Sequence, residues 1–189
     1  MKKNNVHGIL LLDKPKGITS NKALQKIKNV YNAKKAGHCG TLDPLATGLL
    51  PICFGDATKT VSYLIDSSKT YNVIAKLGEK TSTGDAEGEI INRTDVEVHV
   101  INYNLNSVLN SFLGTTQQTP PMHSALKVNG KPLYKLAHKG KSINRKPRNI
   151  TIHQIYLNSF SENLINLTIS CSKGTYIRTL IEDISAKLD

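Results

Sequence analysis

The sequence predicts an α+β fold in which helices flank a mixed, largely antiparallel sheet. Strand-like segments with alternating or continuous apolar residues are interspersed with segments whose apolar residues recur at helical spacing. Runs of strand-like segments joined by turn residues favour antiparallel pairing over the regular strand–helix alternation of a parallel sheet. At 189 residues and without internal repeats, the chain is long enough to form one well-sized core.

The N-terminal part is predicted to contain two buried strands and two helices. The first strand is GILLLD, residues 8–13, and it ends at the Pro/Gly turn KPKG. Thr19 or Ser20 is suited to cap the following helix, because a side-chain oxygen there accepts from an unsatisfied backbone N–H. The apolar face of this helix holds Ala23, Leu24, Ile27, Val30 and Tyr31. Residues 49–54, LLPICF, form the second strand, and Asp56 is placed to cap the next short helix. Its inward positions are Ala57, Val61, Leu64 and Ile65.

The central part is predicted to contain a strand, a helix and a tight turn. Residues 70–77, TYNVIAKL, alternate in polarity, which places Tyr71, Val73, Ala75 and Leu77 on one face. Residues 105–114 have helical periodicity and end at Gly114. Beyond a Pro-Pro loop, Asn129 and Gly130 form a strong turn dipeptide, and a short helix lies between Pro132 and Gly140.

The C-terminal part is predicted to form a hairpin and a final helix. Residues 149–157 and 164–172 are a plausible antiparallel pair, and the second alternates strictly between apolar and polar side chains. The last helix opens at Thr175. Its apolar face is Ile177, Leu180, Ile181, Ile184 and Leu188.

Charge indicates a polyanionic partner. The chain has 25 Lys and Arg against 14 Asp and Glu, a formal net charge of +11, which favours nucleic acid over a membrane surface. No apolar run approaches the roughly 20 residues that span a bilayer, and the apolar stretch near the N-terminus is too short for a signal peptide. Three widely spaced cysteines (Cys39, Cys53 and Cys171) suggest a reducing compartment, so we expect a cytoplasmic protein.

No motif indicates a metal or a cofactor. The six histidines have no zinc-site spacing, and the C-x-x-C, H-E-x-x-H, deaminase, Walker and G-x-G-x-x-G patterns do not occur in the sequence. We therefore expect chemistry that uses neither a metal nor a cofactor.

Three side chains stand out as candidates for chemistry. Asp43 is the single carboxylate in the loop GTLDPLATG, where Pro44 disfavours helix and glycines stand at both ends. The alternative is an ordinary Asp-Pro turn. Arg178 falls in the first turn of a helix, where the unfavourable interaction of its charge with the helix dipole costs about 0.3–1 kcal/mol. Arg178 is therefore either a surface arginine near Glu182 or it has a partner off the helix. Asp43 is a candidate for that partner. Tyr71 lies on an apolar strand face, so its alternative role is in the core.

Five segments together resemble the TruB family of tRNA pseudouridine synthases. They are GILLLDKPKGITS (8–20), GHCGTLDPLATGLLPICFGDATK (37–59), KTYNVIAKLGEKTSTGDAEG (69–88), QTPPMHSALKVNGKPLYKLAHKG (118–140) and KGTYIRTLIEDI (173–184). The resemblance implies the pseudouridine synthase fold and the cofactor-free isomerisation of one uridine in the tRNA T-loop, position 55 by tRNA convention. It also implies tRNA, through its T-loop and elbow, as the partner, and we expect a monomer.

The resemblance also implies residue roles. Asp43 matches the catalytic aspartate, Arg178 its salt-bridge partner, and Tyr71 the tyrosine that stacks on the target base and places its hydroxyl for proton transfer. His38 and Tyr176 match residues that contact the T-loop and the target nucleotide. Lys14, with Pro15, matches the Lys-Pro pair that supports the catalytic loop from beneath, and we count Lys14 among the substrate-binding residues.

The chain departs from the family pattern at three places. His123 stands where the family usually has tyrosine, and His138-Lys139 where it usually has an arginine before the loop glycine. Bacterial members continue further, completing the catalytic sheet and adding a PUA domain, so residues 1–189 are expected to form a C-terminally incomplete catalytic domain without PUA.

Two alternative functions agree less well with the sequence. A non-catalytic RNA-binding module is disfavoured by the presence of Asp43, Tyr71 and Arg178. An aspartate-nucleophile phosphatase would need a D-x-D pair, and no other acid lies within ten residues of Asp43.

Overall fold

A computed structural model describes residues 2–188 of the chain. The chain divides into two compact units, Met1–Ser67 and Ser68–Asp189, and each has its own sheet and its own core. Together they give the mixed α+β, largely antiparallel fold that the sequence predicts. No helix within residues 2–188 has the length and apolar character needed to cross a membrane.

The first unit is built on a three-stranded antiparallel sheet with the order β1-β3-β2. Its elements are β1 (Gly8–Lys14), α1 (Ser20–Val30), β2 (Ala36–His38), β3 (Gly48–Phe54), a 3-10 helix (Gly55–Thr60) and α2 (Val61–Asp66). Its buried core consists of Ala23, Leu24, Ala33, Leu50, Ile52 and Phe54. The central strand β3 supplies half of these residues because it is paired on both sides.

Helix α1 begins where the sequence predicts. Thr19 is its N-cap, and the Thr19 side chain accepts a hydrogen bond from the backbone N–H of Lys22 over 3.1 Å. Ala23 and Leu24 are buried as expected, but Val30 at the end of the helix is 78% exposed. The helical period therefore identifies the buried face at Ala23 and Leu24 but not the exposure of Val30.

Three predictions for this unit are wrong. Ile65 was predicted to face inward and is 40% exposed. β1 is not buried on both faces, since Ile9 and Leu11 are exposed at 51% and 68% while alternate residues face inward. β1 lies at the edge of its sheet with β3 alone beside it. Asp56 does not cap a helix: it lies inside the first turn of the 3-10 helix and forms ion pairs with His7 and Lys59. These cations, Lys59 above all, lower the pKa of the exposed Asp56 carboxyl.

The second unit is built on a four-stranded antiparallel sheet with the order β4-β11-β10-β7. Its strands are β4 (Lys69–Lys76), β5 (Glu79–Thr81), β6 (Ile90–Arg93), β7 (Gly114–Gln118), β8 (Lys127–Val128), β9 (Lys131–Pro132), β10 (Arg148–Ser161) and β11 (Leu164–Cys171). Its helices are α3 (Val98–Asn110), α4 (Leu133–Ala137) and α5 (Ile177–Ser185). The pairs β5-β6 and β8-β9 form two separate hairpins.

The period-2 patterns of this unit are confirmed. β10 and β11 pair antiparallel, and Ile165, Leu167, Ile169 and Cys171 of β11 are all buried in the core. Tyr71, Val73 and Ala75 share the core-facing side of β4, and Leu77, the residue after the strand, is buried in the same core. The predicted turn is also present, since Asn129 and Gly130 both have positive φ, 50° and 76°, between β8 and β9.

The predicted helix boundaries are less accurate. α3 begins seven residues before the predicted start and ends at Asn110, and Gly114 opens strand β7 instead of ending the helix. α5 begins at Ile177 with Tyr176 as its N-cap, two residues later than predicted, so Arg178 still falls in its first turn.

Candidate active site

The backbone on both sides of Asp43 is tied to neighbouring elements of the first unit. Before Asp43, both backbone groups of Leu42 pair with the buried hydroxyl of Ser20: Leu42 N–H donates to Ser20 Oγ over 2.9 Å, and Ser20 Oγ donates to Leu42 C=O over 3.1 Å. After Asp43, the N–H of Gly17 donates to Pro44 C=O over 2.8 Å. The loop is therefore fixed by the start of α1 and by the turn after β1.

Lys14 strengthens this attachment from inside the unit. It is 0% exposed, and its Nζ donates to the carbonyls of Ile18 (2.8 Å), Pro15 (3.0 Å) and Pro44 (3.3 Å). Three N–H donors and three carbonyl acceptors satisfy the ammonium group. A buried ammonium that binds the residue next to Asp43 can support the loop, but it is not placed to touch a substrate. The structure therefore agrees with support of the loop by Lys14. It contradicts the direct substrate contact that the sequence predicts for this residue.

The two loop glycines are required by backbone conformation. Gly40 and Gly48 have φ angles of 115° and 112°, a region that residues with a Cβ rarely adopt. A Cβ at either position would meet no atom within 4 Å, so the constraint is the conformation and not a lack of space.

Arg178 has partners off its own helix, as its unfavourable position predicts. In the second unit its Nη1 donates to Thr83 C=O over 2.7 Å and its Nη2 donates to His123 C=O over 2.8 Å. Its Nη1 also lies 3.6 Å from Asp85 Oδ2, and both side chains are mostly buried, at 15% and 16% exposed. These contacts offset the cost of a cation in a helix first turn.

Sequence reasoning missed Asp85. The signal was present in the quoted segment STGDAEG, where Asp85 stands between glycines in a turn as Asp43 does. Asp85 Oδ1 accepts from the Thr83 hydroxyl over 2.6 Å and from the Glu87 N–H over 3.1 Å. Its carboxylate is therefore held in place near Arg178 by its own turn.

Tyr176 and Tyr71 lie on different elements of the second unit. Tyr176 is the N-cap of α5, and its backbone is bound by the side chain of Gln118 through two hydrogen bonds. Tyr71 lies opposite Ile169 in the β4-β11 ladder and packs, partly buried, against the core. Its partial burial is compatible with both the core and the stacking interpretation.

His38 is the last residue of β2, opposite Ile52 of β3. Its Nδ1 is buried and has no hydrogen-bond partner among residues 2–188. Its contact with the T-loop stays a prediction.

The two departures from the family pattern are neighbours in space. The rings of His123 and His138 meet edge to face with centroids 5.9 Å apart, and Tyr134 contacts His138 in the same way at 6.2 Å. Arg178 binds the backbone carbonyl of His123, which any residue at this position provides. The departure at His123 therefore leaves this contact unchanged.

The geometry provides a carboxylate on a fixed loop in one unit and an anchored guanidinium in the other. Asp43 and Arg178 belong to different units, and their pairing stays a prediction. No group of three or more His, Cys, Asp or Glu within residues 2–188 is arranged to hold a metal ion.

Comparison with known proteins identifies relatives over nearly the whole chain. Residues 28–177 match the model for the TruB family pseudouridylate synthase, N-terminal domain. A tRNA pseudouridine synthase B from Buchnera aphidicola subsp. Acyrthosiphon pisum is 54% identical over 187 residues, which are 99% of this chain and 59% of that protein. The enzyme of the same name from Pseudomonas fluorescens Pf-5 is 54% identical over 186 residues, 98% of this chain and 60% of that protein. The chain thus spans about three fifths of the length of these relatives.

Solved structures agree on the fold. A chain from the crystal structure of a Cbf5-Nop10-Gar1 complex matches with a TM-score of 0.71 and 29% identity, covering 96% of this chain and 44% of that one. A chain from an H/ACA RNP bound to a substrate RNA containing 2'-deoxyuridine matches with a TM-score of 0.67 and 26% identity, covering 96% and 43%.

Proposed function

The chain belongs to the TruB family of pseudouridylate synthases, and on this premise we propose that it isomerises the T-loop uridine of tRNA, position 55, to pseudouridine. In this reaction uracil leaves C1′ of its ribose, turns, and rejoins through C5. The atoms of substrate and product are the same, so the reaction needs no oxidant, reductant or energy source. The relatives named tRNA pseudouridine synthase B support the substrate class.

The observation that carries the proposal is the fixed loop around Asp43. Ser20 holds the residue before Asp43, and Lys14 and Gly17 hold the residue after it. A carboxylate whose backbone is fixed on both sides suits a nucleophile or base that must meet one atom of a bound uridine. An ordinary surface turn does not need a buried ammonium beneath it.

The other site residues have complementary roles in the proposal. Arg178 forms a salt bridge with Asp43, which keeps the carboxylate ionised and orients it. Tyr71 stacks on the uracil, which must leave its base stack to react, and its hydroxyl transfers a proton. Tyr176 contacts the target nucleotide, and His38 contacts the T-loop.

The charge distribution supports tRNA as the partner. Residues 98–161 contain no Asp or Glu, and residues 127–148 within them contain eight Lys and Arg. Such a segment attracts phosphates and offsets the repulsion that Asp43 exerts on RNA. We further propose that both units belong to one catalytic domain over residues 1–189, that the protein is a monomer, and that it acts in the cytoplasm, where tRNA is available and its thiols stay reduced.

The test is to incubate the 189-residue protein with a T-loop stem-loop RNA and to map pseudouridine at single-nucleotide resolution. We expect pseudouridine at position 55 and at no other uridine. Asp43→Asn should abolish the product while RNA affinity stays nearly the same, because the carboxylate acts in bond breaking and adds little to docking.

Asp56→Asn is the matched control, since Asp56 is an exposed carboxylate of the same unit. It should retain wild-type turnover. Absence of pseudouridine with the wild type would refute the proposed function, and Asp43→Asn turnover within about tenfold of wild type would remove Asp43 from the chemistry.

A further inference from the structure

Gln118 is buried at the end of β7, and its amide binds the backbone of Tyr176 through both of its polar atoms. Its Oε1 accepts from Tyr176 N–H over 2.8 Å, and its Nε2 donates to Tyr176 C=O over 3.1 Å. The side chain is only 3% exposed, so these bonds form out of contact with solvent. A buried amide that binds both the N–H and the C=O of one residue fixes the backbone of that residue on both sides of its Cα.

Tyr176 is a sensitive point in the fold because α5 begins there. Its carbonyl also accepts the N–H of Leu180 over 3.0 Å, the hydrogen bond that closes the first turn of the helix. Its own N–H precedes the helix and has no intrahelical acceptor. Gln118 Oε1 therefore satisfies the N–H of the N-cap residue, the group from which a Glu or Gln at the third helical position accepts in a capping box.

Residues 118–123 make a second contact with the start of α5. Five residues after Gln118, the carbonyl of His123 accepts from Arg178 Nη2. Between them, Pro120 is buried and its carbonyl accepts from Arg145 Nη1 over 3.3 Å. Residues 118–123 thus bind both the backbone that opens α5 and the guanidinium in its first turn.

Gln118 is itself placed by the sheet. It lies opposite Arg148 in the β7-β10 ladder, the last pair in this register. Its side chain therefore starts from a fixed strand end and not from a mobile loop. The preceding residue, Gln117, is exposed and belongs to the same strand, so the chain offers a glutamine without this contact as a comparison.

We propose that Gln118 is a positioning residue of the active site: its two bonds to Tyr176 set the placement of Tyr176 and, through the first turn of α5, of Arg178. The inference rests on the proposed function for its catalytic consequence. It assigns to Gln118 no contact with the substrate.

The kinetic test compares Gln118→Ala with Gln117→Ala in pseudouridine formation, well below the unfolding temperature of both variants. Gln118→Ala removes both bonds and should lower kcat about 10- to 100-fold, because small displacements of catalytic groups have effects of this size. KM should change by less than about threefold, since phosphate contacts elsewhere are kept. Gln118→Glu keeps an acceptor for Tyr176 N–H but has no donor for the carbonyl, and should fall between Gln118→Ala and wild type.

A double variant separates positioning from general destabilisation. If Gln118 acts through Arg178, its loss should matter much less when Arg178→Lys has already removed the two-nitrogen contact. Equal fold-losses from Gln118→Ala in the wild-type and Arg178→Lys backgrounds would overturn the proposed link from Gln118 to Arg178.

Hydrogen exchange tests, independently of turnover, whether the two hydrogen bonds from Gln118 hold the backbone at Tyr176. Amides of residues 176–180 should exchange faster in Gln118→Ala than in the wild type, and Gln117→Ala should leave them unchanged. If the wild type makes no pseudouridine, the proposed function fails. The exchange data still show whether Gln118 holds the start of α5. Unchanged exchange, or full kcat in Gln118→Ala, overturns the inference. If Gln118→Ala does not fold by circular dichroism, Gln118→Glu provides the same comparison.

Discussion

Replacing Lys14 with methionine tests how the Asp43 loop is held. Methionine is close to lysine in length and keeps the apolar stem, so Lys14→Met removes the ammonium and its three hydrogen bonds while filling nearly the same space. Lys16→Met is the matched control, because Lys16 is two residues away and exposed. The difference between the two variants isolates the buried ammonium.

The expected loss follows from two opposing terms. Hydrogen bonds to charged groups contribute about 1.5–3 kcal/mol each, so three of them are worth about 5–9 kcal/mol. Keeping an ammonium out of water costs several kcal/mol, which the variant recovers. Pro44 C=O also keeps its bond from Gly17 N–H, so one acceptor of the three retains a donor. We therefore expect Lys14→Met to lower the free energy of unfolding by about 2–3 kcal/mol.

Urea unfolding followed by circular dichroism measures this difference, and turnover measures its effect on the loop. Lys14→Met should also reduce kcat, since Pro44 is adjacent to Asp43 in the chain. Unfolding free energies of Lys14→Met and Lys16→Met that agree within about 0.5 kcal/mol, the usual range for surface changes, would refute the reasoning.

Three further predictions concern the base, the RNA and the thiols. Tyr71→Phe keeps the ring and should cost about 10²–10⁴-fold in rate if the hydroxyl transfers a proton; Tyr71→Leu should cost more, and equal, mild losses in both variants would favour a core role. RNA binding should weaken with salt at a log–log slope of about −3.5 to −4.5 if about five cations meet phosphates, and a flat titration would exclude a phosphate-driven interface. Cys39, Cys53 and Cys171 are buried cysteines, and burial raises the pKa of the Cys171 thiol. All three should react with a thiol reagent no faster than the protein unfolds, so fast labelling of the native protein would contradict the structure.

Local signals in the sequence predict a segment correctly where neighbouring residues alone determine its structure. The period-2 pattern of residues 164–172 predicts β11, and the two cap candidates Thr19 and Ser20 predict the start of α1, because the alternation and the cap are determined by neighbours in sequence. The Asn129-Gly130 turn is predicted for the same reason, since the dipeptide itself permits positive φ at both positions.

The incorrect predictions occur where a distant partner decides the structure. The run ILLL in β1 is apolar at every position, so the sequence cannot tell that the strand lies at a sheet edge with one face exposed. β7 has the polar sequence GTTQQ and no apolar alternation. It is a strand because β10, at least 30 residues further along the chain, pairs with it over residues 114–118.

The active-site loop shows the same division. The glycines, Pro44 and the isolated carboxylate of Asp43 are visible in the sequence, and the positive φ angles of Gly40 and Gly48 agree with the predicted turns. The groups that hold the loop are not visible as such. Ser20 is 22 residues from Leu42, and in the sequence it looks only like a possible helix cap.

For Arg178, local electrostatics predicts that a partner exists off the helix but does not identify it. A cation in a helix first turn is unfavourable by about 0.3–1 kcal/mol, which correctly predicts a partner off the helix. That argument directs attention to carboxylates, yet the two short bonds go to backbone carbonyls, of Thr83 at a separation of 95 residues and of His123 at 55. Carbonyls carry no sequence signature, so only the folded chain identifies them. Arginine reaches these two acceptors with two different nitrogens held in one plane, a geometry that the single nitrogen of lysine does not offer. The choice of arginine at this position therefore follows from the loops that bind it, whatever the Asp43 carboxylate adds.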